Sequence, residues 1–264
     1  MNKPKARSSR KSPAAENGSS SITTLRKSLS LLDAVARAER PLTIAEASAA
    51  AGIARPTGYR IVQALIAESM LMQDEFGRLH VGFATLPLAA KVLDTTRLRA
   101  EAMPVLQELS KNTGRRANLG ILYRNRILHI AGAEKPSLPV LYARFGKIVP
   151  LHCSAMGKAL IAHLPEEQVK AMIEAEGLPA LTPNTITTYK ALKQDLAGVR
   201  AKGFALSNAE HVPGLYAVAA MVSAGGKPVA SIGLLGRDLK SVLATSALVR
   251  EAAEAVSHRI ERTD

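Results

Sequence analysis

The stretch TIAEASAAAGIARPTGYRIVQ, residues 43–63, predicts two short helices joined by a tight turn. Thr43 is expected to cap the first helix, and Glu46, three residues later, completes a capping-box pattern. Gly52 supplies the turn, because glycine adopts a positive φ without a Cβ clash. Pro56 marks the first turn of the second helix, where its missing N–H would be unpaired anyway. The pattern is typical of a helix–turn–helix, and a helical hairpin in the core of an unrelated domain is the alternative.

The second helix has an inward and an outward face. Gly58, Ile61 and Leu65 share the inward face. The outward face carries hydroxyls, an arginine and a glutamine, which suit a DNA major groove, and Arg60 is expected to bind a base edge or a phosphate. Gly58 is unusual, since an interior helical glycine costs about 1 kcal/mol relative to alanine. It permits either a close helix crossing or a close approach of the backbone to DNA.

The flanking sequence extends this pattern to a winged helix. A helix is expected upstream, from about residue 25 to residue 38, and two strands are expected at residues 70–73 and 78–81 around the turn Asp74-Glu75-Phe76-Gly77. The upstream apolar residues at core spacing are Leu25, Leu29, Leu32 and Val35 or Ala36. Arg78, beside the turn, either meets DNA or is an ordinary exposed arginine. The predicted DNA-binding residues are Arg26, Thr43, Arg55, Thr57, Tyr59, Arg60, Gln63 and Arg78.

The charge of the chain agrees with a polyanionic partner. Its 264 residues include 35 Lys and Arg against 22 Asp and Glu, a net charge of +13. Residues 1–60 hold 11 basic and 4 acidic residues, which is +7 of that total. Residues 1–21 are basic and rich in Ser, Pro and Asn, so they are predicted to be a disordered tail that adds nonspecific phosphate attraction. This tail lacks the apolar core of a signal peptide.

Composition also excludes several classes of protein. The only cysteine is Cys153, so no intrachain disulfide can form, which fits a reducing cytoplasm. No apolar run approaches the ~20 residues that span a bilayer, so no membrane association is expected. The six histidines lie too far apart for a local zinc motif, and we predict neither a metal nor a cofactor.

A helix-rich segment follows the winged helix and leads to a second domain. Residues 86–110 are expected to be helical, with an interruption at Pro104. This segment either pairs two subunits or packs on its own domain. The predicted boundaries are a tail at 1–21, a DNA-binding domain at 22–84, a linker helix at 85–100 and a further domain at 101–264.

The second domain is predicted to be α+β with a mainly antiparallel sheet, which can enclose a pocket. Gly225-Gly226 is expected to form a hairpin turn. The expected strands cover residues 117–123, 127–133, 140–143, 148–152, 204–208, 215–222 and 228–235. The expected helices cover residues 154–163, 166–176, 190–202 and 240–260.

The segment PLHCSAMGK, residues 150–158, is the best candidate for a pocket wall. A strand ends and a helix begins here with Ser154 as its cap, so the next N–H groups can point at a ligand carboxylate. The Gly157-Lys158 pair resembles the end of a phosphate-binding P-loop, but the first glycine and the following Ser or Thr are missing. His152 and Cys153 could suggest a thiol nucleophile with its base, but adjacent strand residues point to opposite faces. We therefore predict no catalytic residue and no enzyme.

The whole chain from about residue 22 resembles an IclR-type transcriptional regulator. The matching stretches are TIAEASAAAGIARPTGYRIVQAL, PLHCSAMGKALIAHLP, KGFALSNAEHVPGLYAVAAMV and GKPVASIGLLG, in the family's order and spacing. The resemblance implies a winged-helix domain, a helical linker and a GAF-like effector-binding domain. It also implies homodimers or dimers of dimers that act at operator DNA, respond to small organic or aromatic acids, and have RNA polymerase as a candidate partner.

The same resemblance places effector contacts on the backbone of Ala155 and Met156 and in the segment GFALSNAEHVPG. Where many relatives have an acidic pair, this chain has Ser207-Asn208, and Ala217 stands where cysteine is common. Loss of carboxylates favours an anionic ligand, and alanine in place of cysteine leaves a little more room. We therefore hypothesise a carboxylate effector that is bulkier than the smallest two- or three-carbon acids. The alternative is that these substitutions are drift in a pocket that binds nothing tightly. The predicted effector-binding residues are His152, Ser154, Ala155, Met156, Gly157, Ser207, Asn208, Glu210, Ala217 and Gly233.

The residues and the resemblance together predict a sequence-specific regulator whose promoter binding is modulated by an organic acid, and the resemblance implies a catabolic operon as its target. The alternative is a DNA-binding protein whose second domain only oligomerises.

Overall fold

A computed structural model describes residues 13–134 and 145–262. The chain divides after Val92 into two compact units. The helices up to and across this division are α1 (Pro13–Arg37), α2 (Ile44–Ala50), α3 (Arg55–Ala67) and α4 (Thr85–Thr95). The strands of the first unit are β1 (Leu42–Thr43), β2 (Leu71–Gln73) and β3 (Arg78–Val81).

The first unit is a winged helix, as predicted. Thr43 caps α2 in a complete capping box: its hydroxyl accepts from the N–H of Glu46, and the Glu46 carboxylate accepts from the N–H of Thr43 at 2.8 Å. The hairpin β2–β3 has the predicted bounds within one residue. Strand β1, which was not predicted from the sequence, adds a third antiparallel strand beside β3. The buried core consists of Leu31, Val35, Ala47, Ile53, Ile61, Val62, Leu71 and Leu79.

Helix α1 differs from the prediction in its start and in its buried face. It begins at Pro13, so residues 13–21, predicted to be disordered, are helical; residues 1–12 of the predicted tail lie outside the described residues. A helix can extend beyond its packed part because each added residue gains a hydrogen bond without a new nucleation cost. Leu31 and Val35 face the core, whereas Leu25 and Leu29, predicted to be buried, are exposed by more than half.

The second unit contains a six-stranded antiparallel sheet in the order β6-β5-β4-β9-β8-β7 within the described part of the chain. The strands are β4 (Ala117–Tyr123), β5 (Arg126–Ala133), β6 (Ile148–Pro150), β7 (Ala205–Asn208), β8 (Tyr216–Ala224) and β9 (Lys227–Gly236). The helices are α5 (Arg97–Thr113), α6 (Ala155–Ile161), α7 (Glu166–Glu176), α8 (Tyr189–Lys202), α9 (Leu239–Leu243) and α10 (Ser246–Glu261). The α+β class and the Gly225-Gly226 turn are confirmed, and the strand predicted at 140–143 lies outside the described residues.

Helices cover both faces of this sheet. One face packs against α5 and α10 through residues such as Leu106, Ile232 and Val256. The other packs against α6, α7 and α8 through residues such as Leu160 and Leu192. This second face also contains the cavity described below.

Two predicted helix bounds in this unit were wrong. Pro104 does not interrupt the helical segment: it lies inside α5, and the break falls at Thr96, the cap of α5. The buried contacts of Val105 and Leu109 hold α5 together although Pro104 lacks an N–H. The last helix is divided into α9 and α10 at Thr245, whose hydroxyl donates to the carbonyl of Val242 and thereby competes with the helical pattern.

The hairpin β4–β5 contains one irregularity beside the cavity. Leu119 pairs with Ala131 and Gly120 pairs with His129, so Ile130 has no partner across the ladder. An extra residue of this kind is a β-bulge, which bends the strand and changes the direction of neighbouring side chains. The bulge therefore helps to set the direction of His129.

Candidate functional site

Helix α3 presents the predicted DNA-binding side chains on one open surface. Arg55, Tyr59, Arg60 and Gln63 are exposed, whereas Thr57 is half-buried at the edge of this surface. No carboxylate lies within α3, so its exposed arginines are not neutralised by their own helix. The geometry therefore allows these side chains to contact the edges of bases or the phosphates of a duplex.

Gly58 has a packing role in this helix. It is buried, and a Cβ built on it would overlap the Ser48 hydroxyl of α2 and lie 2.7 Å from the Ser48 Cβ. Of the two explanations that the sequence left open, the close helix crossing is therefore the one the structure supports. The missing side chain lets α3 cross α2 closely while its outward face remains available.

The remaining predicted DNA contacts lie on other elements. Arg26 is exposed on α1, and Thr43 is exposed but uses its hydroxyl in the capping box. Arg78 is at the start of β3 next to the wing turn, where its guanidinium donates to the carbonyl of Pro41 at 3.3 Å. Phe76, at the tip of the wing, is 76% exposed. Arg78 thus helps to tie β1 to the wing and keeps further donors for a phosphate.

The second unit contains a cavity of about 70 Å³ between the sheet and helix α6. Its described lining contains no aspartate or glutamate, and its basic side chains are His129, Lys147 and His211. The other lining residues are Asn118, Val149, Ser154, Ala155, Met156, Ser207, Leu215, Ala217, Gly233, Leu234 and Leu235. The cavity is thus mostly apolar with a small basic cluster, as is common for ligand sites.

The structure brings only some of the predicted effector residues to this cavity. Those that line it are Ser154, Ala155, Met156, Ser207, Ala217 and Gly233. Those that do not are His152, Gly157, Asn208 and Glu210. For these four, the placement does not support the predicted effector contact, and each has another partner or packing role.

Gly157 turns away from the cavity because it belongs to the helix cap. Its N–H donates to the Ser154 hydroxyl at 3.1 Å, so the prediction of a free N–H at this position was wrong. Ser154 is the cap, as predicted. The Met156 side chain points toward the sheet: Cβ atoms built on Gly120 and Gly233 would lie 2.7 and 2.9 Å from it. The two glycines therefore make room for Met156 on the sheet.

Glu210 belongs to a buried ion pair. Its carboxylate accepts from the Lys158 ammonium at 2.8 and 3.0 Å, and Asp195 lies 3.1 Å from the same ammonium. Glu210 also accepts from the N–H of Asn208, at 3.1 Å. Lys158 is completely buried. These groups hold the loop after β7 against α6, which explains why Glu210 is not available to a ligand in the cavity, whereas the Asn208 side chain is exposed outside it.

Four polar residues that distinguish this cavity were not predicted from the sequence: Asn118, His129, Lys147 and His211. Burial lowers the pKa of His129 to about 4, and the positive charges of Lys147 and Arg116 lower it further. Burial, followed by Lys147, also lowers the pKa of His211 to about 4. Both rings are therefore neutral at pH 7 in this structure. The one feature of the sequence that could have indicated a buried role for His129 is its position among apolar residues in a predicted strand.

The His152-Cys153 pair does not form a nucleophilic site. His152 Nε2 lies 3.2 Å from the carbonyl oxygen of Pro179. Cys153 is buried, and its burial raises the pKa of the thiol to about 12. A thiol in this environment is not ionised near neutral pH, so it is a poor nucleophile.

Together, the winged helix and the α+β unit with its cavity define a two-unit DNA-binding regulator. Residues 24–75 match the model of the IclR helix–turn–helix domain, and residues 90–258 match that of the bacterial transcriptional regulator IclR C-terminal domain. The chain therefore belongs to the IclR family of bacterial transcriptional regulators.

In the part of the chain that the structure describes, no helix is long and apolar enough to span a bilayer.

Individual relatives agree with this assignment. The HTH-type transcriptional regulator BhcR of Paracoccus denitrificans is 32% identical over 90% of this chain and 88% of its own length. The crystal structure of an IclR regulator from Alicyclobacillus acidocaldarius has a TM-score of 0.78 and 27% identity, covering 90% of this chain and 98% of that one. An IclR homologue from Microbacterium hydrocarbonoxydans, solved with 4-hydroxybenzoate, shares the fold at a TM-score of 0.77 and 22% identity, covering 91% and 100% of the two chains.

Proposed function

We propose that this regulator binds a specific operator in the cytoplasm as a homodimer or a dimer of dimers, and that a small organic acid bound in the cavity modulates this binding. In this role α3 lies in the major groove, with Arg60 at a base edge and Arg55 and Tyr59 beside it. The protein has no catalytic task in this proposal. RNA polymerase is a candidate partner at a promoter.

The observation that carries the effector proposal is the basic lining of the cavity, in which Lys147 carries the positive charge at pH 7 and the two histidines beside it are neutral. His129, Lys147 and His211 line it, and its described lining contributes no carboxylate. An anionic group in this place gains electrostatic stabilisation that a neutral group of the same shape does not. A volume of about 70 Å³ favours a compact acid and so does not support the bulkier effector that the sequence suggested. The bound 4-hydroxybenzoate of the Microbacterium homologue makes that acid a suitable first probe.

Helix α4 supplies the proposed connection between the ligand and DNA. Leu86, Leu88 and Val92 are each at least 60% exposed, which suits a helix that pairs with a second copy. A ligand that binds one arrangement of the paired helices more tightly shifts the equilibrium toward it. Because half-sites lie a fixed distance apart on the duplex, a change in the spacing of the two α3 helices changes DNA affinity.

The first experiment is selection of bound sequences from a random DNA pool by the full chain at a fixed salt concentration. Fixed salt is necessary because phosphate contacts make affinity strongly salt-dependent. We expect a palindromic site, as two-fold related α3 helices require. Enrichment without a motif would overturn the proposal of specific binding.

The second experiment tests the effector. Calorimetric titration with a panel of carboxylates that includes 4-hydroxybenzoate, pyruvate and glyoxylate is compared with titration of the matching neutral amides. We expect at least one acid to bind more tightly than its amide and to change the affinity for the selected DNA. Tighter binding of the amides contradicts the charge argument. If no acid in the panel binds, the alternative is favoured, in which the second unit only oligomerises and binds no effector. An acid that binds without changing DNA affinity would overturn the proposed modulation.

A further inference from the structure

His129 is a buried polar side chain with no hydrogen-bond partner for its ring among the described residues. It is 5% exposed, both ring nitrogens lack a partner, and the ring lines the cavity. Its backbone is held firmly, since its N–H donates to the carbonyl of Lys147 at 2.9 Å and its carbonyl accepts from the N–H of Gly146 at 2.8 Å. Buried polar groups are normally paired, so an unpaired ring at a cavity wall indicates a place for a ligand group.

The titratable groups around His129 are mostly basic, and Lys147 and Arg116 are the ones that carry a positive charge at pH 7. Lys147 precedes β6, His211 follows β7, and Arg116 precedes β4. Arg116 is engaged by Glu134 at 2.7 Å, and its Nε donates to Asn118 at 3.1 Å. Helix α6 contributes Ser154, Ala155 and Met156 to the cavity, and β9 contributes Gly233, Leu234 and Leu235, so neither element adds a titratable group to the lining.

This arrangement makes protonation of His129 unfavourable in the empty cavity and favourable beside an anion. Burial and the nearby positive charges hold the pKa of His129 at about 4, so the ring is neutral at pH 7. A carboxylate contains only hydrogen-bond acceptors, whereas a protonated imidazole contains two donors. An anion within hydrogen-bond reach offsets the repulsion from Lys147 and stabilises the imidazolium.

We propose that His129 is the residue that binds the carboxylate of the effector, and that it does so as an imidazolium, so that each bound acid takes up one proton from solvent. The inference rests on the proposed function, which it deepens by naming the residue and the ionic form. The carboxylate binds in the cavity and one proton from solvent binds to the His129 ring, so the net charge of the complex is that of the free protein. No covalent bond to a carbon atom forms or breaks. The pH of the solution therefore becomes part of the response to the effector.

The experiment is calorimetric titration of the full chain with 4-hydroxybenzoate, pyruvate and glyoxylate in two buffers of different ionisation enthalpy. The difference in the observed enthalpy gives the number of protons taken up. We expect uptake approaching one proton near pH 6.5, and an affinity for the acid that increases by up to tenfold for each pH unit from pH 7.5 to 5.5. The matching amides should show neither effect.

Two variants and one direct observation make the test specific. His129→Gln keeps a neutral donor but cannot be protonated, so we expect it to bind the acid at least tenfold more weakly at pH 6 and to lose the proton uptake. His258→Gln, at an exposed position of α10, is the matched control and should behave as the unmodified protein does. Nitrogen NMR of the histidine rings should show His129 neutral without acid and protonated with it at pH 6.5, which does not depend on any variant folding.

The outcomes separate the two proposals. If an acid binds without proton uptake and His129→Gln binds it equally well, the inference is wrong and the proposed function stands. If His129 stays neutral in the NMR spectrum of the bound form, the inference is also wrong. If no acid in the panel binds between pH 5.5 and 8, or if the amides bind more tightly, the proposed effector class fails together with the inference.

Discussion

The recognition helix and the cavity are both candidate anion sites, but they hold their positive charge in opposite environments. Arg55 and Arg60 are exposed on α3, where water and salt surround them. His129 is buried beside Lys147, and its charge depends on a proton. Exposed charges are screened by ions within about 8–10 Å at ordinary ionic strength, whereas buried ones are screened much less. The two sites should therefore respond to different variables, DNA binding to salt and ligand binding to pH.

The largest expected effect comes from breaking the buried charge pair of the second unit. Glu210→Ala leaves Lys158 with only the half-exposed Asp195 as a partner, and we expect a loss of about 3–5 kcal/mol in the free energy of unfolding. Chemical denaturation followed by circular dichroism measures the loss, and hydrogen exchange locates it. Lys193→Ala, which removes the exposed pair with Glu166, is the control and should cost less than about 1 kcal/mol. Equal losses for the two variants would mean that burial does not distinguish these charges.

Arg60→Ala tests the exposed site and should leave folding unchanged. If Arg60 makes a bidentate contact with a base, its loss weakens binding to the selected site by about 1–3 kcal/mol and relaxes discrimination at one base position. Competition binding with single-base variants of the site measures both effects. A uniform weakening for all sequences would instead assign Arg60 to a phosphate.

Acid should destabilise the unit that contains the cavity. The pKa of His129 is about 4 in the folded chain against an ordinary value of 6.5, so its contribution to stability is complete above pH 6.5 and is lost as the pH falls toward 4. Between pH 7.5 and 5.5 we expect a loss of about 1 kcal/mol from this ring. Denaturation at several pH values measures it, and His129→Asn should reduce the slope whereas His258→Asn should not.

The smallest expected change in binding energy concerns salt, which should affect DNA binding by α3 more than acid binding in the cavity. Arg55→Ala is expected to reduce the slope of log affinity against log salt for DNA by about 1, because one phosphate contact is lost. The affinity of an acid for the cavity should change little over the same salt range. Binding titrations at salt concentrations from about 50 to about 200 mM test both statements. A strong salt dependence of acid binding would remove the contrast between the sites.

The winged helix could be predicted closely because its determinants are local. The Thr43–Glu46 capping box, the turn at Gly52 and the wing turn each depend on residues within a few positions. The short strand β1 was missed because a two-residue strand has no periodicity and forms only when β3 pairs with it. The exposure of Leu25 was missed because the periodicity of a helix shows which residues share a face but not how far a partner extends along it.

The cavity could be predicted only at its α6 wall. Ser154 is recognisable as a cap from its neighbours, and Ser154, Ala155 and Met156 do line the cavity. His129, Lys147 and His211 come together from three separate segments, and the bulge at Ile130 changes the strand alternation near His129. Glu210 was predicted to contact the effector from a motif, which gives the position of a residue in the chain but not its neighbours in space. Its ion-pair partner Lys158 is 52 residues away in the sequence and could not be inferred from that motif.

The contact between Gly58 and Ser48 has a consequence for engineering. The crossing of α2 and α3 is set on their facing sides, while Tyr59, Arg60 and Gln63 lie on the opposite side of α3 and do not belong to that contact. These outward positions can therefore be randomised in a library without changing how the two helices are held. The first unit is in this sense a ready scaffold for redirecting the protein to a new operator, provided that Gly58 and Ser48 are left unaltered.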